Sequence, residues 1–338
     1  MSTDNVDIFP WQQVIWPHLL SYIDQQRIPQ ALLFSGPTGL GKRQLAEYYT
    51  QSLLCHAPLS ATIKHTTIAC GECVSCKLLK ANTHPDYFVI EPDEPGKAIG
   101  IDKIRQLIAK LALKPQYETY RLVILHPADN LTTAAANAFL KCLEEPNERT
   151  CFILISDQAY KLPATIRSRC QTINFSLPKP QITEDWLQQQ GVAPPYQSLL
   201  IMASGSPLLA KEYAERGFMQ HRNAYFEIWL QIAQGKTNLL MVAEQWQKSD
   251  IIDLGTLINW ICSWIMDIIK LAHDVDSKHI SNPDFKKSLQ ALAKRLELKR
   301  VYQYYDILLN NKALVNTQLN KQLVTERLLI DWFQLNKS

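Results

Sequence analysis

The stretch Ala31-Leu32-Leu33-Phe34-Ser35-Gly36-Pro37-Thr38-Gly39-Leu40-Gly41-Lys42 decides the fold of this chain. Its first half is a short apolar run that predicts a buried strand, and its glycine-rich second half leads into a segment of helical periodicity, Gly41 to Leu54. A strand, a Gly-x-x-x-x-Gly-Lys loop and a helix in this order are typical of a P-loop, whose amides and lysine cradle phosphates at the helix N-terminus. The candidate phosphate-binding residues are Gly36, Gly39, Gly41 and Lys42.

This loop lacks the residues that would handle a metal ion. The residue after Lys42 should be Ser or Thr, whose hydroxyl binds Mg²⁺, but it is Arg43, which has only donors. The acids of the second half of the site should follow the strand predicted at Arg121–Leu125, where the chain has His126 and Pro127. Two independent metal-handling positions are lost together. We therefore expect an inherited structural turn, weak or absent ATP or ADP binding, and no intrinsic ATPase activity.

Strands and helices alternate on both sides of the loop. Besides the first strand, the sequence predicts strands at Arg121–Leu125, Cys151–Ile155 and Gln171–Phe175, and helices at Gly41–Leu54, Ile101–Leu111 and Leu131–Glu144. Strands separated by helices imply right-handed crossovers and a mainly parallel sheet.

After Phe175 only helices are predicted. A small helical segment rich in proline ends near Glu215, and a helical bundle follows from about Phe218. Its predicted helices are Tyr225–Ala233, Asp250–His273, Phe285–Leu298, Val301–Leu309 and Lys321–Leu335. The tryptophans of this region, predicted as core or interface residues, are Trp229, Trp246, Trp260, Trp264 and Trp332.

The composition excludes several classes of protein. Of 338 residues, 46% are hydrophobic and 20% are charged, so the chain can bury sizeable cores. The net charge of +3 argues against a protein built mainly to grip a phosphate backbone. The longest apolar stretch, Ile251–Leu271, is interrupted by polar residues and suits a bundle helix better than a membrane span. Because the N-terminus does not resemble a signal peptide, we expect a cytoplasmic chain without a membrane partner.

Four cysteines form the second candidate site, in a module of about residues 55–76. Cys55, Cys70, Cys73 and Cys76 can close a tetrahedral thiolate shell around Zn²⁺ with no position open for water, which predicts a structural zinc site. Two alternatives stay open, an iron–sulfur cluster and four unliganded thiols. Candidate substitutes for one thiolate are His56, His65 and His84. The remaining cysteines, predicted as small core residues, are Cys142, Cys151, Cys170 and Cys262.

Several short motifs follow one another in a specific order over about the first 175 residues. They are Phe9-Pro10-Trp11, Gly36 to Lys42, the four cysteines, His84-Pro85-Asp86-Tyr87, Ile101-Asp102-Lys103-Ile104-Arg105, Ala135 to Lys141, Leu143-Glu144-Glu145-Pro146 and Leu162 to Cys170. Together they resemble the delta-prime family of AAA+ subunits in the clamp loader of bacterial DNA polymerase III.

The resemblance implies an α/β AAA+ domain with a RecA-like parallel sheet and an inserted zinc module at 1–176, a small helical lid domain at 177–216, and an all-α collar for oligomerisation at 217–338. It further implies a hetero-pentameric ring with one delta and three gamma or tau subunits. That ring uses ATP to place the sliding beta clamp on primed DNA during replication. In that ring the delta-prime subunit is described as a rigid, non-hydrolysing stator. The resemblance therefore implies that this chain is a subunit of the DNA polymerase III holoenzyme and has no ATPase activity of its own.

One arginine receives a role from the resemblance. In the Ser168-Arg169-Cys170 motif, the family's arginine reaches the ATP that a neighbouring gamma or tau subunit holds, as an arginine finger in trans. The alternative is that Arg167 and Arg169 are ordinary solvated charges. The resemblance assigns no role to the candidate ion pair between Lys141 and Glu145.

Three other functions agree less well with the sequence. An active ATPase motor subunit of the same ring needs a hydroxyl after Lys42 and acids after Leu125, and both are missing. A zinc-dependent DNA-binding protein predicts clustered cations around Cys70–Cys76, where only Lys64 and Lys77 lie near. The loss of both metal-binding positions also argues against a small-molecule kinase.

Overall fold

The computed structural model describes residues 8–61, 66–94, 96–117, 120–145, 147–249, 252–275, 277, 280–314 and 320–337. Contacts between residues divide the chain into two compact units. One reaches to Trp186 and includes Ser206–Leu209, and the other contains Leu187–Gly205 and the chain from Ala210 onward. The predicted three-domain boundaries after residues 176 and 216 stay a prediction.

The first unit is built on a five-stranded sheet in which every strand pair is parallel. The strands of this unit are β1 (Ala31–Ser35), β2 (Leu59–Ala61), β3 (Thr66–Ile68), β4 (Tyr87–Ile90), β5 (Arg121–Leu125), β6 (Thr150–Ser156) and β7 (Gln171–Asn174). The order across the sheet is β4-β5-β6-β1-β7. The strands β2 and β3 form a separate antiparallel pair, which the sequence did not reveal because three residues are too few to show an alternating pattern.

Helices cover both faces of this sheet. Up to residue 189 they are α1 (Ile15–Asp24), α2 (Lys42–Leu54), α3 (Val74–Lys80), α4 (Ile101–Leu111), α5 (Thr133–Glu144), α6 (Ala164–Arg167) and α7 (Pro180–Gln189). Leu32 and Phe34 pack with residues of α1 and α2, whereas Leu33 packs with residues of α4 and α5. Because successive side chains of a strand point to opposite faces, β1 is buried on both sides. The predicted α/β fold with a RecA-like parallel sheet is confirmed.

The second unit consists of helices. From residue 196 onward they are α8 (Tyr196–Met202), α9 (Pro207–Glu215), α10 (Phe218–Ala233), α11 (Leu239–Gln247), α12 (Leu254–His273), α13 (Lys286–Arg295), α14 (Leu298–Leu314) and α15 (Lys321–Asn336). All five tryptophans that were predicted as core residues are buried. Trp229 and Trp332 stack with ring centroids 3.8 Å apart, and the indole N–H of Trp332 donates to the Trp229 carbonyl at 3.0 Å.

Helix α12 has the length and composition of a membrane span, but 67% of its apolar window is buried within the structure. Its Asp267 is fully buried and accepts backbone N–H bonds from Ser281 at 2.9 Å and Asn282 at 2.7 Å. These contacts are those of a core helix in a bundle.

The two helices predicted over Phe285–Leu298 and Val301–Leu309 are present, but the break between them lies a few residues earlier than predicted. Helix α13 ends at Arg295, Leu296 is extended with φ −85° and ψ 141°, and α14 begins at Leu298. The sequence carries no glycine or proline at this point, so nothing marks the exact position of the break.

A buried arginine ties the helices of the second unit together. The guanidinium of Arg222, only 2% exposed, donates to Asp284 at 2.6 Å and to Asn282, and lies 4.2 Å from the centroid of the Phe285 ring. It therefore fastens the segment between α12 and α13 to α10.

We expect Arg222→Ala to lower the free energy of unfolding of the helical unit by about 2–3 kcal/mol, because it leaves a polar cluster without its cation. This figure is below the usual range for a fully buried pair because Asp284 is one-third exposed and can be hydrated. Urea unfolding followed by circular dichroism measures it. Lys248→Ala removes an exposed cation paired within one helix and should leave the curve unchanged. Equal curves for both variants would contradict the expectation.

Candidate functional site

The glycines of the phosphate loop are required by contacts with the rest of the chain. Gly39 and Gly41 have left-handed backbones with φ of 70° and 75°. A Cβ at Gly41 would lie 2.5 Å from the Phe9 ring, and a Cβ at Gly39 would overlap the hydroxyl of Ser206. The loop is therefore packed between the Phe9 segment and Ser206.

Hydrogen bonds fix the loop from the same directions. The side-chain amide of Gln12 donates to the carbonyls of Leu40 at 2.8 Å and Gly41 at 3.0 Å, and the Trp11 indole donates to the Leu40 carbonyl at 3.0 Å. From the other direction, the backbone N–H of Leu208 donates to Gly39 at 3.2 Å. The Phe9-Pro10-Trp11 motif thus braces the loop.

The lysine of the loop has its donors occupied. The Lys42 ammonium, 4% exposed, donates to the carbonyls of Gly36 and Pro37 at 2.7 Å each and pairs with the Asp157 carboxylate at 2.6 Å. An ammonium group has three N–H donors, and these three contacts use all of them. Asp157 directly follows β6, at the same edge of the sheet as the loop, and was missed from the sequence. An acid at the carboxyl end of a strand beside β1 is the signal that could have identified it.

An arginine stands at the sequence position where a P-loop has its metal-binding hydroxyl. Arg43 follows Lys42 and donates to Glu47 at 2.9 Å and to Glu91. His126 lies at the end of β5, where burial and then the charge of Arg43 lower the pKa of its imidazole, so that it is neutral at neutral pH. Arg43 and His126, which stand at the metal-handling positions, supply no acidic group to hold Mg²⁺ or to activate water.

The four cysteine sulfurs are brought together. All four lie within 4.8 Å of one another, and the distances from Cys55 to Cys70, Cys55 to Cys73 and Cys70 to Cys76 are 3.6, 3.9 and 4.0 Å. A tetrahedral site with Zn–S bonds of about 2.3 Å separates its sulfurs by about 3.8 Å. The four thiols therefore fit a tetrahedral metal ion.

Backbone amides point at three of these sulfurs. The N–H groups of Cys70 and Cys73 donate at 3.3 Å to the sulfurs of Cys55 and Cys70, and the N–H of Cys76 donates at 3.4 Å to Cys73. Cys73 caps the N-terminus of α3. Burial alone would raise the pKa of its thiol, but the N–H of Cys76 and the neighbouring groups lower it to about 6. This environment favours the thiolate of Cys73, whereas burial raises the pKa of the Cys55 and Cys76 thiols.

The two candidate histidines that the structure describes, His56 and His84, are not among the metal-binding groups. The two ring nitrogens of His84 are occupied by the Ser75 hydroxyl at 3.0 Å and by the backbone N–H of Asp86 at 3.1 Å. The ring of His56 packs against Tyr117, and the metal-binding group found among the described residues contains cysteines alone. His65 and Lys64 lie outside the described residues.

Arg169 lies on the surface between α6 and β7, and its side chain is 38% exposed. Its guanidinium donates to the Thr165 carbonyl at 3.0 Å and pairs with Glu144 at 2.9 Å. The Ser168 hydroxyl also donates to Thr165, at 3.1 Å. Burial raises the pKa of the Cys170 thiol to about 12, which makes that thiol unreactive. The side chain of Arg169 is thus partly exposed, and its two contacts hold it in a defined orientation.

Arg169 and the phosphate loop lie at opposite edges of the sheet. The loop follows the carboxyl end of β1, whereas Arg169 precedes the amino end of β7, which pairs with β1 in parallel from Leu32↔Gln171 to Ser35↔Asn174. The four residues of β7 span roughly 13 Å at about 3.3 Å each. Arg169 therefore lies at the other end of β7 from the loop of its own chain.

Comparisons with known proteins match nearly the whole chain. The family described as "DNA polymerase III, delta subunit" matches residues 11–179, and "DNA polymerase III, delta subunit, C terminal" matches residues 216–334. The DNA polymerase III subunit delta' of Pseudomonas aeruginosa is 35% identical over 97% of this chain and 98% of its own length. That of Haemophilus influenzae is 32% identical over 80% of both chains. A gamma-subunit-related protein of Thermotoga maritima has a solved structure that covers 97% of this chain and all of its own, with 16% identity and a TM-score of 0.47. The resemblance inferred from the motifs is confirmed, and the chain belongs to the family of DNA polymerase III delta' subunits.

Proposed function

We propose that this chain is the non-hydrolysing stator of a bacterial clamp loader and supplies Arg169 to the ATP site of a neighbouring gamma or tau subunit. In this role it joins gamma or tau and delta in a ring that loads the sliding beta clamp onto primed DNA in the cytoplasm. Residues 217–338 are proposed as the collar through which the ring assembles, and residues 177–216 as a small lid domain.

The observation that carries the proposal is the separation of Arg169 from the chain's own loop. A guanidinium at the amino edge of the sheet is across the sheet from a phosphate held at the carboxyl edge. It remains exposed and can meet a phosphate that another subunit presents. A trans arginine stabilises the charge on the transferring phosphoryl group.

The lack of hydrolysis follows from the filled loop. A phosphate at this loop would have to displace the Asp157 carboxylate and two carbonyls from Lys42. A Mg²⁺ ion would meet the guanidinium of Arg43 where a hydroxyl is needed. Neither a phosphate nor a Mg²⁺ ion can therefore bind at this loop without breaking contacts that the folded chain already makes.

We expect the isolated chain to release no phosphate from ATP above background, and Lys42→Ala to leave that result unchanged. Lys42→Arg preserves a cation beside Asp157 and serves if the alanine variant is unstable. An isolated gamma or tau subunit in the same phosphate-release measurement is the positive control. Turnover by the wild-type chain that disappears in either variant would contradict a closed site.

We propose that Cys55, Cys70, Cys73 and Cys76 hold a structural zinc ion. The four thiolates would complete its coordination and leave no position for water or substrate, so the metal would supply folding energy and no catalysis. The alternative, an iron–sulfur cluster, uses the same donors and would be recognised by its visible absorption.

A further inference from the structure

The carboxylate that contacts Arg169 lies at an unusual place for an acid. Glu144 is the last residue of α5, where the unpaired carbonyls of a helix repel negative charge. In the part of the chain that the structure describes, its neighbour one turn earlier, Lys141, forms no ion pair with it. Glu144 instead pairs with Arg169 at 2.9 Å, far along the chain.

We propose that Glu144 is a positioning residue that orients the guanidinium of Arg169 for a phosphate held by the neighbouring subunit. This inference rests on the proposed function of Arg169 and concerns how that residue is held.

Both ends of the ion pair are fixed to one rigid core. Leu143 and Ile166 are buried in the same cluster of apolar side chains, and Cys170 packs against it. The residues beside Glu144 and Arg169 therefore cannot move independently. The Thr165 carbonyl gives the guanidinium a second anchor at 3.0 Å.

The two anchors leave the arginine free to bind. A guanidinium has five N–H donors, and Glu144 and Thr165 occupy one on each terminal nitrogen. The remaining donors can reach phosphate oxygens. A long arginine side chain has many rotamers and loses conformational entropy when it binds a phosphate. Because two contacts already hold the guanidinium, less entropy is lost when the neighbour's nucleotide binds.

The test uses the complex assembled with its cognate delta and gamma or tau subunits, and measures ATP hydrolysis with the clamp and primed DNA. Glu144→Ala should lower the rate at the neighbouring subunit's site roughly three- to tenfold, with KM and assembly unchanged, as expected for lost orientation. In the whole complex this is a fall in kcat no larger than the one that Arg169→Ala causes. Glu144→Gln keeps an acceptor oxygen and should recover part of the rate. Glu145→Ala, which removes the adjacent exposed acid, is the matched control and should equal wild type.

The Arg169→Ala background separates this inference from the function on which it rests. If Glu144 acts through Arg169, adding Glu144→Ala to Arg169→Ala should cause no further loss. If Arg169→Ala alone leaves the rate unchanged, the arginine-finger proposal itself is wrong. If Arg169→Ala slows hydrolysis but Glu144→Ala behaves like Glu145→Ala, the finger stands and positioning by Glu144 is overturned. A rate increase in Glu144→Ala would overturn it too, because the carboxylate would then be a restraint.

Discussion

Replacing Arg169 with alanine is expected to slow ATP hydrolysis at the neighbouring subunit's site by roughly 10³–10⁵-fold, the range of well-studied arginine fingers. The physical reason is the loss of a guanidinium that would stabilise charge on the transferring phosphoryl group. The remaining sites of the ring keep their own arginines, so hydrolysis by the whole complex should fall only in part. Clamp loading should fall with it, because the sites work in one machine.

Folding and assembly should survive this substitution. The side chains of Arg169 and Glu144 are 38% and 48% exposed, and a surface change of this kind usually alters stability by less than about 0.5 kcal/mol. Arg167→Ala is the matched control, since Arg167 is exposed, lies two residues earlier and forms no ion pair in the described part of the chain. If complexes with Arg169→Ala and Arg167→Ala hydrolyse ATP equally fast, Arg169 is only a solvated charge.

Removal of one of the four proposed zinc ligands is expected to be the most damaging change to the fold of the first unit. Wild-type protein should contain about one zinc ion per chain, and Cys73→Ser should contain almost none, because three remaining thiolates leave the shell open. Metal binding is coupled to folding, so we expect the melting temperature to fall by roughly 10 °C, equivalent to about 4 kcal/mol in a domain of this size. Elemental analysis and calorimetry measure the two effects.

Cys142→Ser is the control for the zinc site. Cys142 is buried in the apolar core outside the four-cysteine group, and burial raises the pKa of its thiol to about 11. Its serine variant should therefore retain the metal even if it melts somewhat earlier. Full metal content in Cys73→Ser would place the ligand set elsewhere, and strong visible absorption of the wild type would indicate an iron–sulfur cluster.

The sequence predicted those parts of the site that depend on short stretches of chain. The buried strand before Gly36 follows from local composition, and the glycine-rich turn after it follows from a motif. The loss of the metal-handling positions could be read directly from Arg43 and His126. The cysteine spacing similarly predicted a four-thiol cluster, because Cys70, Cys73 and Cys76 lie close together in the sequence, around the start of α3.

The contacts that close the loop could not be read in this way. Asp157 and Ser206 are far from Lys42 and Gly39 in the sequence, and only the arrangement of strands and the chain's return near Ser206 bring them together. The same holds for Glu144, whose partner Arg169 lies far along the chain. Which ion pair a charged side chain forms depends on side chains from elements that are distant in the sequence, and the sequence alone does not show which elements become neighbours.

We propose that this chain supplies Arg169 to a neighbouring ATP site and hydrolyses no nucleotide itself. The most direct test compares Lys42→Ala with Arg169→Ala in the assembled complex. Hydrolysis is measured with the clamp and primed DNA, after sizing and melting curves confirm that both variants are folded and assembled. We expect the Lys42→Ala complex to match wild type and the Arg169→Ala complex to lose the contribution of one site. The reverse pattern, a loss with Lys42→Ala and none with Arg169→Ala, would contradict a stator that acts through its arginine.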